Sequence, residues 1–184
     1  MNRQVGKSTT ILYVVFTLAS EYYGVDIRDT HRVVRMDSLK RVPGAPPVLK
    51  GIVNLQEKLV PVVDLRRRLG LQATRPTLES RIVVINIAEQ QIGLIVDSVT
   101  GVLPVPLSSV EPTTFAPPAR TNYLWGIANL GIRQILLLDL DKVFSVFNGH
   151  IPAVPTSDGA TAARPDKAQP ASGTDEEGQL TLKL

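Results

Sequence analysis

The sequence has no cysteine and only two histidines, His31 and His150. Disulfides, thiolate metal sites and cysteine nucleophiles are therefore excluded, and the imidazoles are too few for a histidine-based metal centre. No apolar run approaches the ~20 residues that a membrane-spanning helix needs. The longest candidate, residues 135–140, is strand-sized and contains Asp139. Residues 1–10 are polar and lack the apolar core of a signal peptide, so a cytoplasmic protein is expected. Aromatic residues make up 5% of the chain. None lies beside the basic run Arg66-Arg67-Arg68, so the run lacks the stacking partners of a nucleic-acid-binding barrel. It is expected to be the solvated face of a short helical turn ended by Gly70. No phosphate-cradling glycine loop, nucleophile elbow or metal cluster is visible, and no cofactor is implied.

What the sequence does have is repetition. Residues 51–65 read GIVNLQEKLVPVVDL, and residues 126–140 read GIANLGIRQILLLDL. Gly51, Ile52, Asn54 and Leu55 recur as Gly126, Ile127, Asn129 and Leu130, and Asp64-Leu65 recurs as Asp139-Leu140. A second echo aligns residues 14–34 with 83–103, including Gly24 with Gly93. Two ordered pairs of echoes predict an internal duplication with the same strand order in each half. Within each copy, a polar or glycine-containing break separates two apolar runs, which reads as strand, turn, strand. Asp64 and Asp139 sit at equivalent places before helical turns and are expected to cap them. Asn54 and Asn129 precede turns and suit hydrogen bonds to local backbone. Asp26 and Asp97 follow Gly24 and Gly93 as turn or strand-edge residues.

Strands are expected at 11–18, 22–27, 33–34, 52–55, 59–65, 81–87 and 92–96 and in the second repeat, with a short closing helix at 140–147. Pro61 inside a strand predicts an edge or a bulge there. Residues 102–119 hold five prolines and read as an extended or irregular excursion. Many short strands, frequent turns and little helix predict an all-β protein. Residues 1–10 are expected to be flexible, 11–150 to form the folded part with its halves meeting near 72–80, and 151–184 to be a disordered tail. That tail carries five acids and three bases within a total charge of +3, so the remainder is distinctly basic.

Several stretches, taken in order, resemble the CheW family of bacterial chemosensory coupling proteins. They are Tyr23-Gly24-Val25-Asp26-Ile27, Val42-Pro43 with Ala45-Pro46-Pro47, Lys50 to Leu55, Val60 to Leu65, Gly93 to Val99 and the second repeat. The resemblance spans roughly residues 11–150. It implies two SH3-like five-stranded β-barrels with a few short helices, no catalysis, and two docking faces. One face would bind a CheA-type histidine kinase and the other the cytoplasmic tip of a chemoreceptor, without nucleic acid and without direct membrane insertion. Partner contacts are implied at Thr30, Arg32, Val34, Gly51, Asn54, Gln56, Glu57, Asp97 and Val99. Two departures stand out: the family's usual Asn-Leu-Arg-Gly reads Asn54-Leu55-Gln56-Glu57 here, and Arg32 stands where an acid is common. They suggest a paralogue of a non-standard pathway, such as surface sensing or pilus motility. The rival reading is a small barrel enzyme or ligand-binding protein, which requires a polar concave cluster that the sequence does not display.

Overall fold

The β-branched runs form strands because such residues pack well on a pleated, buried surface. A computed structural model describes residues 9–44, 47–87, 90–113 and 122–145. Its strands are β1 (Thr10–Leu18), β2 (Glu21–Asp26), β3 (Thr30–Arg35), β4 (Leu49–Leu55), β5 (Lys58–Asp64), β6 (Arg81–Ile87), β7 (Gln90–Val96), β8 (Ser98–Pro106), β9 (Val110–Pro112), β10 (Leu124–Leu130) and β11 (Arg133–Leu138). Two short helices, α1 (Leu65–Arg68) and α2 (Leu140–Phe144), follow the two repeated Asp-Leu pairs. Asp64 and Asp139 cap them as expected, accepting from the backbone N–H of Arg67 at 3.3 Å and of Lys142 at 3.1 Å. The expectations for residues 1–8, for the end of the closing helix at 146–147 and for 151–184 lie outside the described residues.

The strands form two sheets that curl into small barrels. The first runs β3-β6-β7-β5-β4 and the second β8-β1-β2-β11-β10-β9. Under the sequence repeat, β1, β2, β3, β4 and β5 correspond to β6, β7, β8, β10 and β11, so the two orders are the same. The repeat in sequence and the barrel in space are nevertheless different units. Each repeat gives its first two strands to the barrel built on the other repeat: β1 pairs with β8, β2 lies parallel to β11, β6 pairs with β3, and β7 lies parallel to β5. The 72–80 connector therefore joins two strands of one sheet.

Irregularities recur with the strands. Register breaks fall at Leu49/Gly51 and at Leu124/Gly126, and others where β3 meets β6 and β8 meets β1. The first barrel closes through a single bridge in which Lys40 and Ile52 exchange backbone hydrogen bonds of 2.8 and 2.7 Å. The second closes through β9 on β10, which accounts for its sixth strand. Pro61 does not put β5 at an edge, since β5 lies between β7 and β4. Pairing with β7 begins only at Val62, so the missing N–H of Pro61 falls just outside that ladder. Through residue 113, where it is described, the proline-rich stretch is more regular than expected. Pro104 and Pro106 lie in β8, a nine-residue edge strand, where a missing donor is tolerated.

Three apolar clusters explain why β1 and β6 show no polar alternation. Val15 and Tyr13 fill the second barrel, and Ile82 and Val84 fill the first. The alternate residues Val14, Phe16, Val83 and Ile85 meet in a third cluster between the barrels, together with Leu94, Leu138 and Phe144. These strands are buried on both faces, so continuous apolar sequence is what the geometry requires.

Candidate protein-docking surfaces

Strand alternation sorts the residues singled out from the sequence. In β3, Arg32 pairs with Val84 and Val34 with Ile82, so their side chains lie on the first-barrel side. Val34 packs against that barrel's core. Val33 pairs with Val83 and therefore faces the inter-barrel side, yet is 41% exposed. Its repeat equivalent Val102, opposite Val14, is 47% exposed. Val33 and Val102 thus stand at the mouth of the shared core, with Leu12 exposed nearby on β1. The resemblance implies Val34 as a contact, and Val33 beside it is the more exposed of the two.

The β4–β5 hairpin turns on Gln56 and Glu57, both at positive φ (50° and 69°). This is the twist a two-residue hairpin favours, here adopted without glycine. The guanidinium of Arg32 reaches this turn, with its Nη2 donating to Gln56 Oε1 at 3.4 Å. Arg32, Gln56 and Glu57 therefore form one polar rim, with Asn54 exposed on β4. Gly51 is buried further along β4, against Lys40, and Thr30 Oγ1 donates to the Asp26 carbonyl at 3.1 Å. Asn129 differs from expectation. It accepts from the side chain of its cross-strand partner Gln134 at 3.1 Å rather than from local backbone.

Asp97 is remote from that rim and joins the barrels. It accepts from Arg66 Nε at 2.8 Å and from Arg66 Nη2, and from the backbone N–H of Ala19 at 2.9 Å. Val99, two residues on, packs against the inter-barrel core. The arginine run is accordingly not a solvated face. The Arg66 side chain is 14% exposed, and its paired guanidinium is held more firmly protonated, chiefly by the Asp97 hydrogen bonds. Arg68 donates to the carbonyl of Val143 and to the Tyr123 hydroxyl at 2.9 Å, and stacks 4.6 Å from the Tyr123 ring centre. Only Arg67, in a 3.6 Å ion pair with Asp64, resembles a surface cation.

Among the described residues no group of histidines or carboxylates could hold a metal, and no helix is long and apolar enough to cross a membrane. Two barrels joined by reciprocal strand exchange, with a polar rim and an apolar mouth, make a docking scaffold. The CheW-like domain model matches residues 12–147. The chain belongs to the CheW-like family. It is 30% identical to the chemotaxis protein CheW of Klebsiella aerogenes over 146 residues, covering 79% of this chain and 88% of that one. It is also 30% identical to the chemotaxis protein CheW of Treponema pallidum, covering 72% and 81%. The crystal structure of the scaffolding protein TtCheW from Thermoanaerobacter tengcongensis superposes with a TM-score of 0.71 at 36% identity, covering 78% of this chain and 99% of that one. Like other CheW-like proteins, this one is a non-enzymatic scaffolding adaptor.

Proposed function

We propose that this CheW-like protein couples a methyl-accepting type chemoreceptor to a CheA-type histidine kinase, in a pathway distinct from standard chemotaxis. Coupling by mass action needs two faces that two partners can occupy together. Support comes from β3, whose alternation separates polar Arg32 from apolar Val33. The rim of Arg32, Asn54, Gln56 and Glu57 suits a charged partner surface, and exposed Val33 suits an apolar one.

The observation that carries the pathway reading is the contact between Arg32 and Gln56. The family's usual residues, an acid and an arginine, would make an ion pair in that geometry. Here both members differ, and the contact survives as an amide accepting from a guanidinium. A joint change at a rim retargets binding while keeping the local geometry, since misplaced charge penalises wrong partners. Thr30, Gly51, Asp97 and Val99 act in this reading by holding the docking faces in place. The test is co-purification of the full chain with the histidine kinases and chemoreceptors of its own host, set against a standard chemotaxis pair. Retention of the cognate pair supports the reading, and equal retention of both pairs would reject a specialised pathway. Loss of both would reject the adaptor role.

A further inference from the structure

The duplication gives the molecule two quasi-equivalent cavities, and their charges are opposite. One, of about 440 Å³, is lined by four carboxylates (Asp26, Asp29, Asp139, Asp141) and a single cation, Arg28. The other, of about 380 Å³, is lined by five cations (Arg41, Lys50, Arg66, Arg67, Arg75) and two carboxylates. The repeat relates them position by position. Asp139 matches Asp64, while Asp141 stands where Arg66 stands and Arg28 where Asp97 stands. The same architecture is thus built with opposite signs at two of these positions.

The carboxylates of the second cavity do not neutralise it. Asp97 is taken by Arg66, and Asp64 by the α1 cap, Lys50 at 3.5 Å and Arg67 at 3.6 Å. Arg41 and Arg75 approach from separate segments, the loop before β4 and the 72–80 connector. Among the described residues neither enters an ion pair. Met36, Leu39 and Ile95 supply an apolar wall. We infer that this cavity binds a phosphorylated small molecule, its phosphates held by Arg41, Arg75 and Lys50. A cavity of this size suits a small ligand. Guanidinium groups pair bidentately with phosphate, and an excess of cations around a concave site concentrates anions there.

Isothermal titration of the full chain at low ionic strength, with inorganic pyrophosphate and with ADP in separate arms, tests the site. One-to-one saturable binding is expected. Arg41→Glu and Arg75→Glu, both at exposed positions, should each weaken it by at least about tenfold, because each replaces a charge-assisted bond with repulsion. Asp141→Asn, in the acidic cavity, should leave it unchanged. Tighter binding of ADP than of pyrophosphate means that the apolar wall holds the rest of a nucleotide-like ligand, and equal binding means that the site reads phosphate alone. Either upholds the inference. Absence of saturable binding in both arms, or binding that neither arginine variant alters, would overturn it. The titration needs no kinase or receptor, so its outcome is separable from that of the co-purification.

Discussion

The carbonyl oxygen of Lys40 occupies the space that a Cβ on Gly51 would need. Lys40 is fixed there by its two hydrogen bonds to Ile52, the only bridge closing the first barrel among the described residues. The clash is with backbone, which cannot rotate away. Gly51→Ala should therefore cost about 3 kcal/mol or more, among the largest single-residue effects. Gly126→Ala, which meets the side chain of Val110 at 2.6 Å, should cost less, because a side chain can yield. Urea unfolding of both variants checks the order. Loss of partner binding by Gly51→Asp would then report a broken barrel closure, and a Gly51→Ala variant as stable as wild type would contradict this.

Asp26 and Asp29 lie three residues apart and respond to acid in opposite directions. Hydrogen bonds from Arg28 hold the Asp26 carboxyl below its ordinary range. Its stabilising effect is present above about pH 4, the unfolded value, and is lost as pH falls through the lower folded value. Burial, with Asp26 adding to it, pushes Asp29 up. Its ionisation opposes folding, so its favourable contribution is full below about pH 4 and disappears as pH rises through the higher folded value. Asp26→Asn should thus be less stable than wild type at pH 7 and Asp29→Asn slightly more stable, the two differences shrinking near pH 3. Thermal melts across that range give the comparison.

Arg68 ties α1 to α2 through the Val143 carbonyl, the Tyr123 hydroxyl and the Tyr123 ring. Arg68→Ala should cost about 2–3 kcal/mol, the scale of a charge-assisted bond plus a cation–π contact. Arg68→Lys should recover little, since an ammonium lacks the planar fork. By contrast Arg67→Ala, which removes a half-exposed arginine and leaves Asp64 paired with Lys50, should stay within about 1 kcal/mol. Hydrogen exchange in α2 would distinguish these outcomes.

Replacing Gln56-Glu57 with Asn-Gly should stabilise the hairpin by about 1 kcal/mol, because both positions have positive φ. Arg32→Glu with Gln56→Arg and Glu57→Gly should shift binding toward a standard chemotaxis receptor–kinase pair and away from the cognate one. Both partner sets, tried in parallel in a kinase-stimulation assay, read this out. An unchanged preference would show that these rim positions do not set specificity.

The repeats at 51–65 and 126–140 made the all-β class, the hairpins and the two helix caps readable from sequence, because each is local and patterned. What escaped was long-range. Nothing in residues 10–26 records that β1 and β2 complete the barrel built by β8 and β11, because hydrophobic alternation specifies a buried strand and not its partner. Arg66 and Arg68 were misread for a related reason. Their carboxylate, carbonyl and hydroxyl partners at Asp97, Val143 and Tyr123 lie far along the chain. Among the surface residues, Arg32, Gln56 and Glu57 were singled out by departure from a family pattern, but nothing in the sequence records that Arg32 reaches Gln56.

The reciprocal exchange of strands also sets an order in time. During synthesis the β1–β2 hairpin leaves the ribosome first, yet Tyr22 finds its partner Ile135 only after roughly 110 further residues are made, a separation that slows closure. Until β8 and then β11 emerge the two edges of that hairpin are open, and neither repeat made alone can complete a barrel. The barrel of β3 to β7, contained in residues 30–96, can be finished early, whereas the other is obliged to wait for its last strands.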